Sequence, residues 1–191
     1  MYNIQTLNKI AKCGTSIFDT AKYTVADDVQ NPDAILVRSA KMHDMEFNSN
    51  LLAIGRAGAG TNNIPVDKCA ELGICVFNTP GANANAVKEL VIAGLLLSSR
   101  KVTEAIDWAK SLKGTEDVAK QVEKGKSQFV GPELSGKTLG IIGLGAIGRL
   151  VANAVIGLGM KVVGTDPFLT EQGKAQLSAS VKIVDTKEEV Y

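Results

Sequence analysis

The chain has 191 residues, of which 45% are apolar and 21% charged, with a formal net charge of +1. That length allows one large domain or two small ones. The near-neutral balance offers no electrostatic footprint for nucleic acid or an anionic membrane surface. The longest apolar run, Leu90 to Leu97, is far too short to span a bilayer.

The N-terminus shows no charged start, apolar core and cleavage site of a signal peptide. Cys13, Cys69 and Cys75 are odd in number and lack metal-type spacing. They read as reduced thiols in a cytoplasmic setting, with no metal site.

In the first half, short apolar runs alternate with turn signals. Residues 3–7 and 23–26 are modest strand candidates. Residues 34–38 (AILVR) make a stronger one, introduced by the turn Asn31-Pro32-Asp33. Residues 51–57 form another and end in the loop 58–63. Pro65 can start a helix that runs to Leu72 and stops at Gly73. A short strand at 74–77 leads into the loop 78–83. This β/α rhythm predicts a parallel sheet covered by helices.

Residues 85–112 read as one long helix, with Val87, Leu90, Val91, Gly94, Leu95 and Ser98 on one face. Residues 113–131 are polar and charged and read as a solvated connection. One further helix (171–177) and one further strand (181–184) follow the central motif described next. The expected division is a first domain of residues 1–92 and a second of 93–191.

Residues 138–166 carry the chemistry. An apolar strand, 139–142, enters Gly143-Leu144-Gly145-Ala146-Ile147-Gly148. An amphipathic helix follows, then a second apolar strand that ends at Asp166, 18 residues past Gly148. Strand, glycine turn, helix, strand and acid in that order form a dinucleotide-binding βαβ unit. Gly143 makes the tight turn, Gly145 lets a pyrophosphate approach the backbone, and Gly148 lets the helix pack closely on the sheet. The amides of Ala146 and Ile147 and the positive helix end face the phosphates. Asp166 would accept both ribose hydroxyls and repel a 2′-phosphate, so the cofactor expected is NAD and not NADP. Only three strands are readable in this half against about six in such a domain. The cofactor domain is therefore expected to be incomplete within this chain.

Several motifs precede the glycine turn in order: Arg38-Ser39, the run Arg56 to Ile64 (RAGAGTNNI), Asn78 to Asn83 (NTPGAN), Val87 to Leu90 (VKEL) and Leu134 to Gly140 (LSGKTLG). Together they resemble the D-isomer-specific 2-hydroxyacid dehydrogenases over nearly the whole chain. The resemblance implies a flavodoxin-like substrate domain beside a Rossmann-type NAD-binding domain. It also implies oxidation of a phosphorylated 2-hydroxy acid, 3-phosphoglycerate, as in serine synthesis. Arg38 and Ser39 would sit at the substrate end, Gly58 and its loop would approach nicotinamide and carboxylate, and Asn83 would shape the same wall. Arg38 and Arg56 both end apolar strand candidates, and guanidinium forks suit a substrate with carboxylate and phosphate.

The family's catalytic arginine, glutamate and histidine belong to the later half of the cofactor domain, so no catalytic residue is assigned in this chain. The single histidine, His43, reads as an exposed loop residue. The expected partners are a small-molecule substrate and a second copy in a homodimer or higher homo-oligomer, with no nucleic acid and no membrane. Rival readings are a dehydrogenase of the same family acting on glycerate or lactate, a non-catalytic NAD-responsive binding protein, and a truncated regulatory subunit.

Overall fold

A computed structural model describes residues Met1–Tyr191. The chain forms two compact units, Met1–Asn83 and Ala84–Tyr191. The division falls at the start of the long helix, nine residues before the expected 92/93. A cut at 92/93 would sever a continuous helix whose Val91, Ile92 and Leu95 all pack on the second unit's core.

The first unit contains β1 (Tyr2–Leu7), the short helix α1 (Lys12–Thr15), β2 (Tyr23–Ala26), β3 (Ala34–Val37), β4 (Ala53–Arg56), α2 (Val66–Glu71) and β5 (Cys75–Phe77). All five strands are parallel, in the order β2-β1-β3-β4-β5. That is the flavodoxin-like order, whose direction reverses between β1 and β3. Alternate strand residues point to one face. Ile35, Val37 and Ile54 bury there against Met42, Leu51, Ile64, Cys69 and Ile74. Helix α2 starts behind Pro65, which needs no N–H at that end, and stops at Gly73 with φ +73°.

The second unit holds α3 (Ala84–Arg100), α4 (Val102–Ser111), α5 (Val118–Gly125), a 3-10 turn (Lys126–Phe129), β6 (Thr138–Ile142), α6 (Ala146–Ile156), β7 (Lys161–Thr165), α7 (Glu171–Ala175) and β8 (Val181–Ile183). Its strands are parallel in the order β6-β7-β8, each new strand added to the same edge. Val151, Ala152 and Val155 of α6 bury against Met160, Val162 and Val181, with α3 packed on the same cluster.

Three expectations are corrected here. The helix expected over 85–112 is two helices, because Lys101 sits in the left-handed region at φ 42°, ψ 40° and ends the first. The stretch 113–131 is not a bare connection. It contains α5 and the 3-10 turn, held by the Trp108 and Phe129 rings with centroids 5.1 Å apart. The buried face of α3 is Val91, Ile92 and Leu95, whereas Leu90 is 73% exposed. The middle of this helix, Leu90 to Leu97, is apolar all round, so its pattern alone could not select the inward face. No helix is long and apolar enough to cross a membrane, and all three cysteines are free.

Candidate functional site

Strand β6 delivers the chain to the glycine turn at its C-terminal end. Gly143 has φ +96°, a conformation that a side chain would strain. Its N–H donates to the Thr165 carbonyl at 2.8 Å, tying the turn to the end of β7. The turn's one bulky residue, Leu144, points inward and is fully buried. Gly148, in the first turn of α6, lies against the Gly143 carbonyl, and a Cβ there would strike that oxygen. Helix and turn can approach this closely only because the side chain is absent.

Around Gly145 the arrangement is the opposite: nothing lies within 4 Å of the place a Cβ would occupy. Gly145 is also the N-cap of α6. No side chain caps this helix, and its first turn holds no acid. By contrast, the Thr170 hydroxyl of α7 accepts from the Gly173 N–H at 3.1 Å, with Glu171 in that first turn. The first amides of α6 therefore keep their donors and their share of the helix dipole for a ligand. Open space above Gly145 and an uncapped helix end fit the diphosphate of a dinucleotide.

Asp166 closes the site. Its Oδ2 accepts from the Leu144 N–H at 2.9 Å and its Oδ1 from the Phe168 N–H at 2.9 Å. These two bonds aim the carboxylate at the glycine turn. A carboxylate offers about four acceptor positions, so capacity remains for two hydroxyls. Arg149, one turn along α6, donates to the Leu144 carbonyl at 3.1 Å. That support was not singled out in the sequence, where nothing tells Arg149 from any other helix arginine.

In the first unit, Arg38, Gly58 and Asn83 line one pocket of about 390 Å³ with Ala57, Thr79 and Ala82. It lies outside the C-terminal ends of β3, β4 and β5, where open α/β sheets hold ligands. The walls are pinned by backbone: the Ala57 N–H donates to the Val37 carbonyl at 2.8 Å, and the Thr79 N–H to the Gly58 carbonyl at 2.9 Å. Asn78 Nδ2 donates to the Ala59 carbonyl. Asn63, nearly buried, donates its Nδ2 to the Ala40 carbonyl at 2.9 Å and so ties the glycine-rich loop to the segment after Arg38. Ser39 is held there too, its N–H donating to Asn8 Oδ1 at 2.9 Å.

Arg56 does not line this pocket. It lines an adjoining cavity of about 230 Å³ that shares Ala57 and Thr79 with it and has apolar neighbours that include Leu36 and Phe77. Its guanidinium folds over Gly58, which has no room for a side chain, and its buried Nε has no partner. His43 lies in the turn after β3, exposed as expected, and lines neither cavity. Thr79 and Asn8 are site contributors that sequence reasoning missed. For Asn8 a signal existed, an asparagine just past a strand, and it adopts φ +68°.

The match to a family model decides the lineage. Residues 2–186 match the D-isomer specific 2-hydroxyacid dehydrogenase catalytic domain. The chain belongs to this family. Among its 2-hydroxyacid dehydrogenase relatives, D-3-phosphoglycerate dehydrogenase of Archaeoglobus fulgidus is 37% identical over 164 residues, 83% of this chain and 28% of that protein. The solved 2-hydroxyacid dehydrogenase of Ketogulonicigenium vulgare superposes with a TM-score of 0.73 at 26% identity, over 96% of this chain and 58% of that one. The NAD-bound 3-phosphoglycerate dehydrogenase of Entamoeba histolytica gives 0.66 at 26% identity, over 100% and 59%. The chain thus spans little more than a quarter of the curated relative's length.

Proposed function

We propose that this chain is the substrate-binding domain and the first half of the NAD-binding domain of a D-3-phosphoglycerate dehydrogenase. The observation that carries this reading is the glycine turn with Asp166 aimed into it: an open Gly145, an uncapped helix end and a carboxylate fixed by the Leu144 amide. Gly143, Gly145, Ala146, Ile147, Gly148 and Asp166 would hold NAD, which supplies the hydride acceptor when bound. Arg38, with Ser39, Gly58 and Asn83, would bind the carboxylate end of a 2-hydroxy acid, its guanidinium offering a planar pair of donors. Arg56 supports the loop by packing its guanidinium against Gly58.

Oxidising a secondary alcohol needs a base for the hydroxyl proton, and such a group contributes about 10² to 10⁴ in rate. The single histidine is His43, exposed in a turn, and we assign it no part in the reaction. Turnover then requires residues beyond those of this chain. The resemblance to phosphoglycerate enzymes favours the phosphorylated substrate over glycerate or lactate, a cytoplasmic setting, and a homodimer. Leu90, Leu96 and Leu97 of α3 with Ile106 of α4 leave an apolar surface that a second copy could cover.

The test is an NADH-absorbance assay. The purified 191-residue chain is expected to show no oxidation of 3-phosphoglycerate above background. Joined to the remaining cofactor-domain half of the Archaeoglobus relative, it is expected to oxidise phosphoglycerate and to ignore glycerate and lactate. Turnover by the chain alone contradicts the role denied to His43. A joined enzyme that prefers glycerate moves the chain to another branch of the family.

A further inference from the structure

A second cleft, of about 360 Å³, adjoins the Arg38 pocket and shares Arg38 and Ala57 with it; its other walls are Lys9, Ile10 and Ala11. Topology puts its two cations together. Lys9 follows β1, Arg38 follows β3, and these strands are hydrogen-bonded neighbours with Leu7 opposite Val37. They flank the point where the strand order reverses, the place where a doubly wound sheet opens a ligand crevice.

The backbone segments that carry the two cations are tied together by a clamp. Asn8 turns into the left-handed region, and its Oδ1 accepts from both the Ser39 N–H (2.9 Å) and the Ala40 N–H (2.7 Å). The residue before Lys9 is therefore bonded to the two residues after Arg38. Neither cation has a carboxylate partner. The ion pairs of this chain all join close neighbours in sequence elsewhere, such as Lys22 with Asp19 and Lys110 with Asp107. Two unpaired positive groups lining one cleft favour an anion between them.

We propose that Lys9 reads the second anionic group of the substrate and sets the preference for phosphorylated over unphosphorylated 2-hydroxy acids. This rests on the substrate pocket assigned to Arg38 above and goes beyond it. For a short acid with its carboxylate in the Arg38–Asn83 pocket, the cleft that holds Lys9 is the adjoining space for its far end. A phosphate there gains a compact ammonium on one side and a guanidinium on the other. A hydroxymethyl group at the same place gains neither charge.

The experiment is calorimetric titration of the 191-residue chain with 3-phosphoglycerate and with glycerate, reading the ratio of the two affinities. Lys9→Gln is expected to lower that ratio about tenfold, the loss of one charge-assisted contact. Lys9→Arg and the control Lys12→Gln are expected to keep it, and Arg38→Gln to weaken both acids. A phosphate with a second pKa near 6 also makes the ratio rise from pH 5 to pH 7 in the wild type and less so in Lys9→Gln. An unchanged ratio in Lys9→Gln, with both acids weakened by Arg38→Gln, overturns the role of Lys9 and leaves the pocket standing. If the wild type binds neither acid, or Arg38→Gln alters neither, the pocket itself falls and this inference with it.

Discussion

Gly145 and Gly148 lie three residues apart and lack side chains for different reasons, and substitution separates them. A Cβ at Gly148 strikes the Gly143 carbonyl, and the turn that carries it is tied to β7 by the 2.8 Å bond from the Gly143 N–H to the Thr165 carbonyl. Gly148→Ala is expected to cost about 1–3 kcal/mol, the usual penalty for overpacking, read as a lower melting temperature. A Cβ at Gly145 meets nothing. Gly145→Ala should cost only the small N-cap difference of about 1 kcal/mol or less, yet place a methyl group where the phosphates must come. It should therefore weaken NADH binding much more than it lowers stability. A Gly148→Ala chain as stable as wild type would contradict the close approach.

At the scale of elements, the break between α3 and α4 gives a test with opposite signs for the two descriptions. Lys101 occupies the left-handed region, which costs a residue with a Cβ roughly 1–2 kcal/mol. Lys101→Gly is expected to raise stability by about 1 kcal/mol in urea unfolding, less the exposed bond from Lys101 Nζ to the Gln128 carbonyl. In an unbroken helix the same change would lower stability by about 1 kcal/mol.

The strands, α2 with its proline start and glycine stop, and the whole glycine-turn unit were legible in the sequence, because each carries a local signal: a short apolar run, a fixed φ, a missing Cβ. The break at Lys101 was not, since Arg100-Lys101-Val102 holds no glycine or proline. Nor was the inward face of α3, where Leu90 and Val91 are equally apolar and only packing chooses between them. At the site, Arg38, Gly58 and Asn83 were readable as strand-end and loop residues. The roles of Asn8 and Thr79 were not, because they act through contacts to residues 21 to 32 positions away, although an asparagine just past a strand hints at the turn of Asn8.

At the scale of the molecule, each unit gathers candidate binding groups at the carboxyl ends of parallel strands, one with cations after β1 and β3, the other with an uncapped helix and an acid. A dinucleotide that binds only the folded second unit raises its stability by mass action, about 2.7 kcal/mol at a hundred times its Kd. The discriminating group is Asp166. A 2′-phosphate about 4 Å from its carboxylate costs roughly 4 kcal/mol at an effective dielectric of 20, which approaches a thousandfold in affinity. The direct measurement is a paired titration of NADH and NADPH into the wild-type chain and Asp166→Ala by calorimetry. The expected result is NADH binding at least about a hundredfold tighter than NADPH in the wild type, with the gap closing in Asp166→Ala. No NADH affinity, or equal affinity for the two cofactors in the wild type, would contradict the assignment of this turn to NAD.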